Sequence, residues 1–266
     1  MKDRFGRKID YLRISVTDRC NLRCRYCMPE NGLKLLRHED ILSFEEILEV
    51  VRAAVDTGIT KVRLTGGEPL VRHEVIELVR MIAAVEGIKD FAMTTNGILL
   101  SEYAFELARA GLHRVNISLD TTCPERFRRL TRGGDIRSVF EGIEAAKTAG
   151  LSPIKLNCVK GEFSTESDIR SVKEFGRKNG LQVRFIRLMD FKTGSFSIVE
   201  GGSGGDCPRC DRIRLSSDGL IRPCLFSDIS FSVRALGPEK AIQDAIAQKP
   251  EAGGPCTHNW MYSIGG

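Results

Sequence analysis

The chain has 266 residues and 42% hydrophobic content, enough for one large domain or for one domain with a small appendage. Met1 to Arg7 is charged and lacks the apolar stretch of a signal peptide, and no segment approaches the apolar length needed to span a bilayer. The nine cysteines are therefore expected reduced, in a soluble cytoplasmic protein without membrane contacts. The formal net charge of +5 suits an anionic small ligand as readily as nucleic acid, and with no basic low-complexity tail to argue for the latter, no nucleic-acid partner is expected.

In chain order, a short strand is expected over 11–16. Ser43 with Glu46 has the form of a capping box, and Phe44, Ile47, Leu48, Val51 and Val55 then repeat at helical spacing until Gly58 ends the run. Strands over 61–65, 90–95, 114–120, 154–159 and 182–189 follow, alternating with helices over 73–85, 102–110, 136–149 and 166–178. Nothing interrupts this pattern up to about Met189, so residues 1–190 read as one unit and 191–266 as a smaller extension. Strands separated by helices imply an α/β fold with a parallel sheet, either curled into a partial (β/α)6 TIM-like barrel or left open.

A parallel strand covered by helices should be apolar on its outer face. In 61–65, Val62 and Leu64 form that face and leave Lys61, Arg63 and Thr65 on the other. Asn116, Ser118 and Asp120 likewise oppose Val115, Ile117 and Leu119, while Lys155 and Asn157 oppose Ile154, Leu156 and Cys158. Arg13 and Ser15 share a face of the first strand. A polar lining is costly in a packed barrel centre, where unpaired charges are desolvated, and is expected around a wet, ligand-filled cavity. Parity leaves 182–189 open, because Arg184 and Arg187 point to opposite faces.

Cys20, Cys24 and Cys27 fall in a C-x3-C-x2-C run directly after the first strand. Three cysteines so grouped converge on one small volume and point to an iron-sulfur or metal site, with a structural zinc or a disulfide knot as the alternative. A cubane cluster takes four Cys ligands, so three with no near fourth leave one iron for an exogenous ligand. With Tyr26 before the last cysteine, the run resembles the signature of the radical S-adenosylmethionine (SAM) enzymes. That resemblance implies a cluster whose open iron is chelated by the amino and carboxylate groups of SAM, and cleavage of SAM to methionine and a 5′-deoxyadenosyl radical. Thr65-Gly-Gly-Glu-Pro69, ending the second strand, is similar to the superfamily motif that binds the SAM amine. Its paired glycines permit close backbone approach to a ligand, and Glu68 is placed to receive an amino group.

Cys207, Cys210 and Cys224 form a C-x2-C-x13-C array with a hairpin signal at Ser217-Asp218-Gly219 that can fold Cys224 back towards the other two. A zinc knuckle is the alternative to a second cluster with an open site. The array, the Arg212-Ile-Arg214 within it and the terminal Gly265-Gly266 resemble the MoaA-type GTP 3′,8-cyclase family of molybdenum-cofactor biosynthesis, over the span from Arg13 to Gly266. The resemblance implies two [4Fe-4S] clusters, the SAM cluster on Cys20, Cys24 and Cys27 and the second on Cys207, Cys210 and Cys224. It implies SAM contacts from Tyr26, Gly66, Gly67, Glu68, Ser118 and Met189, and GTP contacts from Arg13, Arg63, Thr94, Lys155, Arg212 and Arg214. Arg212, Arg214, Gly265 and Gly266 then form the catalytic group, with the Gly-Gly tail reaching into the cavity. The implied reaction removes hydrogen from C3′ of GTP and joins that carbon to C8 of guanine. A flavodoxin- or ferredoxin-type electron donor, a downstream cyclic pyranopterin monophosphate synthase and a homodimer are the partners that the resemblance allows.

Two features depart from the family pattern. The segment between Met189 and Cys207 is short, and its Gly201-Gly-Ser-Gly-Gly205 stretch reads as a flexible connection. Cys256 and His258 stand where no ligands are expected. Cys256 as a fourth ligand would make the second cluster an electron relay, against its reading, like that of Cys123 and Cys158, as an idle or buried thiol. A paralogue that acts on another nucleotide or on a peptide is the competing enzyme reading, and a cluster-binding sensor of iron or SAM the non-enzyme one. The Gly-Gly-Glu-Pro motif and the inward cations disfavour the sensor.

Overall fold

The computed structural model describes residues 1–29, 32–257 and 264. Parallel strands β1 (Tyr11–Ser15), β2 (Lys61–Thr65), β3 (Asp90–Thr95), β4 (Arg114–Ser118), β5 (Lys155–Lys160) and β6 (Gln182–Arg187) lie side by side in chain order. On its other side β1 pairs in parallel with β7 (Arg212–Leu215), which turns back into β8 (Leu220–Arg222) and then β9 (Phe231–Ser232). β6 and β9 end the sheet without meeting, so the barrel is partial, as the strand pattern implies.

The helices are α1 (Phe44–Asp56), α2 (Val75–Ala83), α3 (Leu100–Arg109), α4 (Pro124–Thr131), α5 (Ile136–Thr148), α6 (Glu166–Lys178), α7 (Val233–Leu236) and α8 (Pro238–Ala247). The capping box forms as expected: Glu46 N donates to Ser43 Oγ at 3.2 Å, and Ser43 N donates to Glu46 Oε2 at 2.7 Å. Helix α2 starts later than its periodicity suggests because Glu74 turns left-handed, with φ at 57°. Three helices, α4, the single-turn α7 and α8, escaped the sequence reading. Both α4 and α8 carry proline and glutamate in their first turn, a start signal that the sequence did offer.

The outer sheet face is mostly apolar: Leu12, Ile14, Leu64, Ile117, Leu156 and Ile213 are fully buried against the helices. Each such side chain contributes about 1.5–3 kcal/mol relative to exposure. Cys158 belongs to this layer, whereas Cys123 is exposed at the start of α4. The other face carries the polar alternates, and the strand register sets them in rows: Arg63, Arg13 and Arg214 are level on β2, β1 and β7. Among the described residues no helix is long and apolar enough to cross a membrane.

Candidate active site

The first cysteine run lies beyond the C-terminal end of β1. Cys27 N and Met28 N both bond to the Cys24 carbonyl at 3.0 Å, closing a turn, while Arg23 N and Arg25 N bond to the carbonyls of Thr131 and Leu130 at the end of α4. Arg132, left-handed at φ 55°, donates to the carbonyls of Arg23 and Met28. The loop is thus held from outside, with its three thiols half-buried and free of disulfides. Burial pushes all three thiols up, Cys27 to about 12, and for Cys24 and Cys27 neighbouring thiols and Asp120 add to it. Three mutually repelling thiolates in one place call for a cationic centre. Among the described residues no three Cys, His, Asp or Glu side chains are gathered to grip a single ion. In a cubane each thiolate takes its own iron, so this donor set suits a cluster better than zinc.

Gly66 and Gly67 follow β2 and pack on that loop. A Cβ on Gly66 would lie 2.7 Å from Thr17 O, and one on Gly67 2.3 Å from Arg19 O. Gly67 N and Glu68 N bond to those same two carbonyls, each at 2.8 Å. The close approach that the glycines permit is to the cysteine loop of the chain itself. Glu68, 1% exposed, accepts from Leu70 N at 3.1 Å and Thr95 Oγ1 at 2.7 Å on Oε1, and from Asn96 N at 2.6 Å on Oε2. A carboxylate offers about four acceptor sites, so one remains on Oε2, suited to an ammonium. Burial raises the Glu68 carboxyl to about 7 against those hydrogen bonds. Asn96 Nδ2 also reaches Cys20 Sγ at 3.8 Å, tying the end of β3 to the cysteine run.

Tyr26 donates its hydroxyl to Asp120 Oδ2 at 2.6 Å, and Val159 N donates to Asp120 Oδ1 at 2.7 Å. The Tyr26 hydroxyl is therefore already committed, leaving its ring and main chain for a ligand. Burial raises both Tyr26 and Asp120 above their ordinary values. Ser118 ends β4 on the inner face, level with Asn157 of β5.

Further into the barrel the inner face surrounds a cavity of about 370 Å³. Nine Arg or Lys side chains line it against three Asp, so its occupant is an anion. Several cations are balanced by the chain: Arg114 forks onto Asp90, Lys61 lies between Asp10 and Asp211, and Arg212 pairs with Asp211. Arg13, Arg63 and Arg184 differ, because the Nε of each is buried with no hydrogen-bond partner among the described residues. Burial lowers all three, and the surrounding arginines lower them further. Tyr11 Oη, Asn116 Nδ2 and Thr94 Oγ1, all on the inner face, are likewise buried without partners among the described residues. Lys155, also on this wall, is brought down to about 8 by burial and then by Arg184, Arg114 and Arg63.

The second cysteine group closes the same cavity. Cys207 and Cys210 span a tight turn, with Cys210 N bonded to Cys207 O at 3.1 Å, and the Ser216–Gly219 turn brings Cys224 back beside them, as the hairpin signal implies. Burial pushes the Cys210 thiol up, but the Lys249 ammonium and Arg212 guanidinium more than reverse it, leaving it below its ordinary value. Met189 and Arg214 line the cavity too. The glycine stretch is a wall rather than a flexible connection. A Cβ on Gly205 would lie 2.0 Å from Ser197 O, Val199 N bonds to Gly204 O at 2.8 Å, and Arg212 Nη2 donates to Ser203 O at 3.0 Å. Cys256 is buried away from the cavity lining, its N bonded to Phe191 O at 2.9 Å. Gly265, Gly266 and His258 lie outside the described residues.

Sequence reasoning missed Tyr11, Asp90, Arg114 and Lys249 as cavity residues and left Arg184 open. Register settles Arg184, which is level with Asn157 on the inner face, whereas Arg187 lies outside. Asp90 and Arg114 carry the inner parity of their strands, a signal that was available. Lys249 follows a helix and had none.

Residues 14–176 match the family model described as the radical SAM superfamily. A GTP 3′,8-cyclase of Moorella thermoacetica is 42% identical over 297 aligned residues, covering 93% of this chain and 92% of that protein. One of Thermodesulfovibrio yellowstonii is 42% identical over 294, covering 93% and 91%. Both alignments are longer than this chain, so those proteins carry residues that it lacks. Among solved structures, Streptococcus suis SuiB bound to the precursor peptide SuiA aligns with a TM-score of 0.71 at 15% identity, over 92% of this chain and 66% of that one. This chain thus spans slightly less than two thirds of SuiB, and the likeness is one of fold.

Proposed function

The chain belongs to the radical SAM superfamily and, within it, to the GTP 3′,8-cyclase family, and from this premise we propose that it converts GTP to 3′,8-cyclo-7,8-dihydro-GTP for molybdenum-cofactor biosynthesis. The observation that carries the substrate is the set of buried Nε atoms on Arg13, Arg63 and Arg184 that have no hydrogen-bond partner among the described residues. A triphosphate supplies the oxygens they lack, and arginine binds phosphate oxygens in a planar fork. Arg214, Arg212, Lys155 and Thr94 complete the GTP contacts in this reading.

Cys20, Cys24 and Cys27 hold a [4Fe-4S] cluster, and Glu68 receives the SAM ammonium on its open Oε2 site. When bound, the cluster and SAM supply an electron and a 5′-deoxyadenosyl radical. Gly66, Gly67, Tyr26, Ser118 and Met189 position SAM beneath the cysteine loop. The cations place C3′ of GTP against it, and the cavity walls exclude solvent from the reactive sugar. Cys207, Cys210 and Cys224 would hold a second cluster, and Arg212 and Arg214 with Gly265 and Gly266 make up the catalytic group in this reading. We assign residues 1–190 to the radical SAM barrel and 191–266 to the auxiliary-cluster region. The nine cysteines, none of them in a disulfide, suit a reducing cytoplasm. An electron donor of flavodoxin or ferredoxin type and a cyclic pyranopterin monophosphate synthase acting downstream complete the setting, with a homodimer as the assembly.

The test is anaerobic turnover of the cluster-reconstituted protein with SAM, reductant and GTP deuterated at C3′. Deuterium in 5′-deoxyadenosine is expected. Unlabelled 5′-deoxyadenosine, formed equally without GTP, would move the search to other substrates.

A further inference from the structure

Lys249, 1% exposed, is the most deeply buried Lys or Arg among the described residues. It follows α8, and its Nζ donates to two main-chain carbonyls, Arg212 O at 2.8 Å and Pro223 O. It also reaches the Cys210 thiol. One carbonyl belongs to the residue two after Cys210, the other to the residue just before Cys224. The ammonium therefore sits between the start of β7 and the end of β8, inside the bracket formed by the second cysteine triad.

Arg7 offers a contrast in the same place. Its guanidinium donates to Cys207 O and Glu251 O, each at 2.8 Å, and to Pro250 O at 2.6 Å, so it also straps the triad to the segment after α8. Its charge, however, is balanced by Asp3, 2.6 Å away and equally buried. Among the described residues Lys249 has no carboxylate, and its two carbonyl partners are neutral. A buried ammonium is strongly disfavoured unless an anion shares its site. The groups beside it that can supply negative charge are the Cys210 and Cys224 thiols, as thiolates once they hold iron.

We propose that Lys249 is a positioning residue for the second cluster, whose fixed positive charge compensates the Cys210 and Cys224 side of that cluster and raises its reduction potential. The inference rests on the second cluster proposed above. Net charge and hydrogen bonds to sulfur set cluster potentials, and a nearby cation favours the more negative, reduced state.

The test uses the full chain with Cys20→Ala, Cys24→Ala and Cys27→Ala, so that only the second triad can hold iron, and follows its reduction by electron paramagnetic resonance at poised potentials. Lys249→Gln keeps a donor for the carbonyls without the charge, Lys249→Arg keeps the charge, and Arg7→Gln loosens the strap while leaving Lys249 in place. Lys249→Gln is expected to lower the reduced-to-oxidised ratio at fixed potential about tenfold, a shift of about 59 mV for one electron. Lys249→Arg should restore it, and Arg7→Gln should lower the melting temperature without moving the potential. A Lys249→Gln protein with full iron and an unchanged potential overturns the inference alone. If it loses its iron, recovery in Lys249→Arg upholds the charge, and no recovery reduces Lys249 to a clamp. A parent triple variant that binds no iron overturns the second-cluster reading itself, and the inference with it.

Discussion

The two ends of the barrel interior use polar groups in opposite ways. Beyond the C-terminal ends of the strands the chain supplies its own partners: Glu68 is held by Leu70, Thr95 and Asn96, and Asp120 by Tyr26 and Val159. Deeper in the cavity, Arg13, Arg63 and Arg184 keep nitrogens that nothing among the described residues satisfies. The proposed SAM end is therefore assembled before its ligand arrives, and the proposed substrate end is completed by its ligand. Each buried unsatisfied group costs about 1–3 kcal/mol, so the substrate end gives up folding stability that binding recovers.

The largest expected effect tests the preassembled end. Gly67→Ala forces a Cβ to within 2.3 Å of Arg19 O and should displace the cysteine loop. Iron on the first triad and SAM cleavage should be lost, while calorimetric GTP affinity stays nearly unchanged. A variant that loses both equally has unfolded, and the two ends are then one cooperative unit.

Arg63→Ala comes next. Removing a charge-assisted hydrogen bond of about 1.5–3 kcal/mol should weaken GTP binding by about 10- to 150-fold. The ligand-free melting temperature should hold or rise, since an unsatisfied guanidinium has gone. A marked fall in melting temperature would mean that this end, too, is preassembled.

Glu68 gives a smaller, pH-dependent effect. Its folded value near 7 lies above the ordinary 4.5, so between those values the folded chain retains a proton that the unfolded chain has released. Stability of the ligand-free protein should accordingly fall as pH rises through that window. SAM affinity should rise through about pH 7 as the carboxylate ionises to meet the ammonium. Glu68→Gln should flatten both slopes, which melting curves and equilibrium dialysis across the range will show.

Lys155 gives the smallest. Brought down to about 8 and only partly buried, it loses its charge as pH passes that value. GTP affinity should decline modestly there by calorimetry, and Lys155→Gln should remove the decline.

The inner lining was legible because one parity ran through β1, β2, β4 and β5. It failed on β6, where both parities carry arginine and only pairing with β5 selects Arg184. The cysteine loop was legible as chemistry, but not its support, since the carbonyls of Leu130 and Thr131 that hold it belong to a helix that the sequence reading left unassigned. The role of Gly66 and Gly67 was half visible: composition announces a close approach, and only the fold shows that the partner is Thr17 and Arg19. Lys249 was invisible, because its neighbours are main-chain atoms of strands far away in sequence, and backbone carbonyls leave no trace in residue types.

The parallel pairing of β1 with β7 also acts as a ruler. Tyr11 is level with Arg212, so Cys210 precedes the start of this ribbon, while Cys20 follows its far end. The rise of about 3.3 Å per residue puts about 13 Å of strand, Tyr11 to Ser15, between the two cysteine loops. Hydrogen-bond register rather than loop length fixes that span. A one-residue insertion within β1 would slide one cysteine loop relative to the other and reverse the facing of Arg13, altering the gauge of the chamber and its lining in a single step.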